Sequence, residues 1–197
     1  GERGGEICEK LGICTAKEYK LLSIMAEKKV NAVSSTSAGR LFDAASAVLG
    51  IRRSSTFEGE ASMALQFGAE KFSREPFSIY EPMEKLTAEK EGRIMLCTQA
   101  LVKRLCDGVQ NGEDKNRLAY EFHSLLADMT VQACRTISER TGIKVCALSG
   151  GVFQNKLLLK MVKCRLEKMG LRVLIHSLVP ANDGGIALGQ AFYLNEE

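Results

Sequence analysis

A helix-rich α/β lobe with a small parallel sheet is the expectation for this chain, and three features carry it. The last third alternates: an apolar run at 143–148, an amphipathic stretch at 155–169, a Gly170 stop, a second apolar run at 171–176 and a small-residue helix at 184–194. Such a βαβα unit implies parallel strands joined by a right-handed crossover. Upstream, Leu118, Phe122, Leu125, Met129, Ala133 and Ile137 recur at steps of three and four, the one-sided stripe of an amphipathic helix over 115–141. Elsewhere the punctuation marks out helix after helix, with one short extended piece at 76–80 that Pro82 ends.

The elements follow in order. Thr15 and Glu18 form a capping box for a helix running to about Lys29, with Tyr19, Leu22, Ile24 and Met25 as its apolar positions. A polar stretch at 34–37 leads into a helix over 38–49, and Gly50 stops it. Residues 52–56 read as loop, 59–72 as helix, and 92–109 as the helix preceding the long 115–141 segment. The loop between those two, 107–114, is rich in glycine, asparagine and acid. The chain thus divides into an N-terminal helical segment at 1–35, a mainly helical 36–142, and the βαβα unit at 143–197.

Composition narrows the function classes. The 197 residues are 45% hydrophobic and 26% charged, as in a soluble globular domain. No apolar run approaches the ~20 residues of a membrane span, and Gly1 to Lys10 lacks a signal-peptide core, so a cytoplasmic protein without a membrane role is expected. The net charge of +3 is spread along the chain without a basic cluster, which argues against nucleic acid as a partner. None of the seven cysteines forms a Cys-x-x-Cys pair, and reduced thiols are expected. Cys97, Cys134, Cys146 and Cys164 lie among apolar neighbours and read as small core residues, whereas Cys8 and Cys14 read as an exposed pair.

The most informative stretch is Leu148-Ser149-Gly150-Gly151-Val152-Phe153-Gln154-Asn155. A strand ending in glycines at the mouth of a helix presents backbone N–H groups with no Cβ in the way, the shape that cradles phosphates. The same residues also suit an ordinary tight turn. Ligands of parallel sheets sit beyond the carboxyl ends of the strands. Here those ends carry Ser149-Gly150-Gly151 and Pro180-Ala181-Asn182-Asp183-Gly184-Gly185, so both loops are expected at one crevice.

Asn182-Asp183 reads either as a helix cap with a glycine turn or as a carboxylate placed to hold a metal ion. Asp43, one turn from Arg40, reads either as half of a surface ion pair or as an acceptor for ribose hydroxyls. Glu58-Gly59-Glu60 opens a helix, where acids suit the dipole in any case. His123 falls on the apolar stripe and reads as a hydrogen-bonded core histidine. His176 ends a strand beside the crevice, and both a surface and a site role stay open for it.

Four phrases occur in a fixed order: Ser37-Ala38-Gly39-Arg40-Leu41-Phe42-Asp43-Ala44-Ala45, Phe57-Glu58-Gly59-Glu60-Ala61, the stretch 148–155, and Pro180 to Gln190. Together they resemble the carboxyl-terminal half of the last domain of the HypF carbamoyltransferases, a domain similar to TsaD and the O-carbamoyltransferases within the actin-like ATPase superfamily. The likeness covers about 31–194 and implies the carboxyl-terminal lobe of an actin-like fold. It further implies that Asp43 and Gly59 contact the nucleoside. Gly150 and Gly151 match the glycines of the turn, Asn155 lies near ribose and base, and Asp183 is a carboxylate metal ligand.

The family's ligand would be ATP or the carbamoyl-adenylate made from it and carbamoyl phosphate. The acceptor is the carboxyl-terminal cysteine thiolate of HypE, in the maturation of nickel–iron hydrogenase. A divalent metal (Fe, Zn or Mg) belongs to the parent domain only, because the family's two histidine ligands have no counterpart in this sequence. Partners implied are the other half of the same domain and the upstream HypF domains, and this piece by itself is expected to be inactive. Two other readings are a TsaD-like or O-carbamoyltransferase lobe, and a non-catalytic partner-binding module whose glycine turns are structural.

Overall fold

In the computed structural model, residues 2–72 and 87–194 are described. The expected extended piece at 76–80 and its end at Pro82 lie outside the described residues. The elements are α1 (Glu2–Lys10), α2 (Ala16–Glu27), α3 (Ala38–Val48), α4 (Glu60–Phe72), β1 (Thr87–Lys90), β2 (Arg93–Leu96), α5 (Thr98–Gln110), α6 (Lys115–Thr141), β3 (Val145–Leu148), α7 (Lys156–Lys168), β4 (Arg172–Ile175) and α8 (Ile186–Leu194). Short 3-10 turns, Gly151–Gln154 and Asp183–Gly185, precede α7 and α8. The chain forms two compact units, the first from 1–72 with 102–119 and the second from 73–101 with 120–197. No described helix is long and apolar enough to cross a membrane.

In the first unit, α2 begins with the expected capping box: Thr15 Oγ1 accepts from Glu18 N–H at 3.2 Å, and Glu18 Oε2 accepts from Thr15 N–H at 2.8 Å. Helix α1, which no cap or period in the sequence delimits, packs on α2 with the Tyr19 ring against Gly4 and Gly5. A Cβ on Gly4 would lie 2.1 Å from the Tyr19 hydroxyl, so two poor helix formers are tolerated for close approach. Helices α3 and α4 pack together, and Phe42, Ala45 and Leu49 are buried along with Leu65 and Ala69. The Arg53 guanidinium donates to the Leu11 carbonyl, tying the loop after α3 to the end of α1.

In the second unit, Phe122, Leu125, Leu126 and Met129 of α6 are buried, as are Leu157, Leu158, Met161, Val162 and Leu166 of α7. The α6 stripe is buried as far as Met129, but Ile137 at its far end is 49% exposed. Arg165 of α7 reaches α6, donating to the Ser124 carbonyl and hydroxyl at 2.7 Å each and pairing with Asp128 at 3.0 Å. Burial pushes the Asp128 carboxyl up, and the guanidinium pulls it part of the way back. β3 and β4 pair in parallel with Leu148 opposite Ile175, as the βαβα pattern requires.

One boundary is corrected. The helix expected over 92–109 starts at Thr98, because 87–96 form an antiparallel hairpin, Thr87 pairing with Leu96 and Lys90 with Arg93. Its two-residue turn, Glu91-Gly92, has φ of 53° and 73°. That is the left-handed geometry a tight hairpin needs, and the glycine adopts it at no steric cost. Arg140 of α6 holds the hairpin through a two-pronged contact with Glu89, at 3.1 and 2.6 Å.

Candidate functional site

In the second unit, the loops that follow β3 and β4 lie side by side. The register ends at Leu148 opposite Ile175, so Ser149 and His176 are the next residues out, and Ser149 Oγ lies 2.8 Å from His176 Nε2. One residue further, Gly150 N–H donates to the Ala181 carbonyl at 2.9 Å. Gly150 has φ of 98°, a conformation that favours glycine, and a Cβ placed there would meet nothing within 4 Å. The turn therefore has open space above it. From Gly151 the chain winds through its 3-10 turn into α7.

The second loop is shaped by Asn182, whose Oδ1 accepts from Gly184 N–H at 3.1 Å and whose carbonyl accepts from Gly185 N–H at 3.1 Å. Gly185 is required sterically: a Cβ would sit 3.0 Å from the Pro180 carbonyl oxygen and 2.9 Å from Val179 Cγ1. Asp183, between them, is exposed. Among the described residues no group of three or more His, Cys, Asp or Glu could hold a metal ion. A single carboxylate is too small a donor set for a catalytic ion, so the residues of this chain do not by themselves fit the metal that the resemblance implies.

Asn155 has a different place. It is only 9% exposed, and both ends of its amide are committed. Oδ1 caps α7 by accepting from Leu158 N–H at 2.9 Å, which leaves Nδ2 facing His123 Nε2 at 2.9 Å. An amide nitrogen only donates, so Nε2 is the acceptor and carries no proton. His123 is fully buried, with its ring edge-on to Phe122 at 5.6 Å, the core histidine the stripe pointed to.

The other two predicted residues belong to the first unit. Asp43, on α3, is half exposed and pairs with Arg40 at 3.2 Å. Its carboxylate keeps acceptor capacity toward solvent. Gly59 is exposed at the foot of α4 with φ of 80° and no neighbour within 4 Å of a Cβ. Beside it the buried Glu60 organises the preceding loop, accepting from Thr56 N–H at 2.6 Å and Oγ1 at 3.0 Å and pairing with Arg52 at 2.7 Å. These bonds, the Thr56 N–H first, hold its carboxyl below the usual carboxylate range.

The structure thus groups Gly150, Gly151 and Asp183 around two joined loops, and Asn155 beneath them in the interior. It also adds Ser149 and His176 as a pair. That pairing was hidden from the sequence because it depends on strand register; the signal available was that each residue directly follows an apolar run. All seven cysteines are free thiols.

Residues 4–190 match the family described as carbamoyltransferase, Kae1-like domain, second subdomain. The probable carbamoyltransferase HypF of Methanocaldococcus jannaschii is 32% identical over 190 residues, an alignment covering 96% of this chain and 24% of that protein. Carbamoyltransferase HypF of Rhodobacter capsulatus is 36% identical over 172 residues, covering 85% and 20%. A crystal structure of full-length HypF in the phosphate- and nucleotide-bound form superposes with a TM-score of 0.83 at 30% identity, covering 97% of this chain and 24% of that one. The HypF of T. kodakarensis superposes at 0.73 with 28% identity, covering 92% and 23%. This chain spans about a quarter of the length of these relatives. The helix-rich lobe with its small parallel sheet is that of their actin-like domain. The chain belongs to the HypF carbamoyltransferase family, as the second subdomain of the Kae1-like domain.

Proposed function

We propose that this chain is the nucleotide-facing lobe of a HypF-type carbamoyltransferase that binds ATP and carbamoyl-adenylate and passes the carbamoyl group to the carboxyl-terminal cysteine of HypE. The observation that carries the reading is the Gly150 turn at the ends of two parallel strands, with nothing above it and a second glycine loop bonded to it. That is where a parallel sheet takes its ligand. A related structure, alike over 97% of this chain, is described as nucleotide-bound.

In this reading the chain's residues bind and position rather than react. Gly150 and Gly151 let a ligand approach the backbone closely, Asp43 accepts from hydroxyls of the nucleoside, and Gly59 leaves room beside it. Asn155 acts from below by fixing where α7 begins. A carbamoyl-adenylate is a mixed anhydride and a reactive acyl donor, so holding it beside a thiolate supplies most of what transfer requires. The thiol acceptor belongs to the partner. Asp183 is one ligand toward a metal whose other ligands lie outside this sequence. The preceding half of the domain is the natural cover for α8, which buries none of its residues and exposes Ile186, Leu188, Phe192, Tyr193 and Leu194.

Calorimetric titration with ATP and AMP, run beside Asp43→Ala, tests the reading. Saturable binding that Asp43→Ala abolishes, with the helical signal of both proteins the same, is the expected outcome. Equal binding by the two proteins overturns the role of Asp43. Transfer to a HypE tail thiol by the full-length enzyme, rather than to tRNA or a small alcohol, separates this reading from the TsaD-like and O-carbamoyltransferase ones.

A further inference from the structure

The Ser149–His176 hydrogen bond has no evident structural task. Both residues are exposed, and a hydrogen bond between two solvent-facing side chains adds little to stability, because water replaces either partner. The two strands are already paired through Leu148 and Ile175, and the two loops are already joined by Gly150 N–H and the Ala181 carbonyl. That second bond has a consequence. The Gly150 N–H, the first backbone donor of a turn shaped to cradle an anion, is spent within the protein. An anionic group over the open face of Gly150 needs a donor from somewhere else, and the nearest side-chain hydroxyl in sequence is Ser149.

We propose that Ser149 is a binding residue for the phosphoryl group of the nucleotide and that His176 is the positioning residue that aims it. The proposal rests on the reading that this turn faces a nucleotide. With hydrogen on Nε2, His176 donates to Ser149 Oγ across the 2.8 Å contact. The hydroxyl hydrogen of Ser149 is then left to donate outward, to a phosphoryl oxygen lying over Gly150. In the opposite arrangement Ser149 donates to Nε2 and offers only lone pairs, which an anion repels. The ligand therefore selects the first arrangement. The ligand class is a phosphate ester or anhydride, and a bare nucleoside gains nothing from the pair.

The 197-residue chain holds only two histidines, so the ring resonances of His176 are assigned unambiguously against His176→Gln. AMP, adenosine and inorganic phosphate are titrated while those resonances are followed. AMP is expected to move the His176 ring saturably and adenosine to leave it in place. Ser149→Ala is expected to weaken AMP binding about tenfold, the order of one hydrogen bond to a charged group, without changing adenosine binding. His176→Gln, whose side-chain amide keeps a donor for Ser149, is expected to retain most of the AMP affinity that His176→Ala loses. That rescue is what a donor role predicts and a mere spacer does not. Wild-type AMP affinity in Ser149→Ala with an unmoved His176 ring overturns the proposal and leaves the nucleotide reading standing. A folded chain that binds neither AMP nor adenosine overturns both.

Discussion

Asn155 Nδ2 donates to His123 Nε2 at 2.9 Å, joining the first residue before α7 to the buried face of α6. The contact makes the asparagine of the glycine-turn motif a structural hinge-pin as well as a neighbour of the site. Asn155→Ala removes a helix cap, at about 1 kcal/mol, and leaves a buried ring nitrogen without this donor, at about 1–3 kcal/mol. A loss of about 2–4 kcal/mol in unfolding free energy by urea titration is expected, with the α7 amides losing protection first. A variant as stable as the parent would show that the interior bond contributes nothing.

Ser46 presents the opposite case. Its hydroxyl is fully buried on α3 and, among the described residues, finds no hydrogen-bond partner. An unmade buried hydrogen bond costs more than an absent one. Ser46→Ala is expected to raise stability by about 1 kcal/mol, read as an increase in melting temperature. A decrease would mean the hydroxyl is satisfied in solution.

Acid should loosen the loop before α4. The Glu60 carboxyl lies below its usual range chiefly because Thr56 N–H donates to it, so the folded protein releases this proton at lower pH than the unfolded chain does. The stability from Glu60 is then fully present above the ordinary glutamate value of about 4.3. It is lost as pH falls through the lower, folded value. The Thr56 amide resonance is expected to titrate with its midpoint below the ordinary value, and Glu60→Gln to abolish that titration. A midpoint at or above the ordinary value would contradict the bond.

Thiol reactivity should be low at Cys134. Cys134 lies 3.7 Å from Cys146, sulfur to sulfur, and burial first, then the neighbouring thiol, pushes its pKa up to about 11. At pH 8 only about one such thiol in a thousand is thiolate, the reactive form. Iodoacetamide labelling followed by peptide mass spectrometry is expected to modify Cys134 far more slowly than an ordinary exposed thiol. Rapid labelling would place Cys134 outside the interior.

Much of this architecture was legible in the chain because local chemistry decides it. The Thr15–Glu18 box, the α3 and α4 spans and the alternation of β3, α7, β4 and α8 each follow from a cap, a glycine or a period. Helix α1 was not legible. Gly4 and Gly5 argue against a helix, and only the Tyr19 ring packed on them explains it, a contact no local rule contains. The 87–96 hairpin is not legible either: the helix expected from residue 92 takes in its second strand, since the strands are four residues each and the Glu91-Gly92 turn is a weak signal. At the site, the glycine turns announced themselves, while the commitment of Asn155 to His123 and of Ser149 to His176 needed strands and helices brought into register.

Helix α8 is nine residues long and buries none of them. A helix that short does not sustain itself in water. In the proposed reading its order depends on apolar surface supplied by the rest of the domain, which makes it a gauge of assembly. Amide exchange along 186–194 should be fast in the lone chain and slow once the rest of the domain is in place.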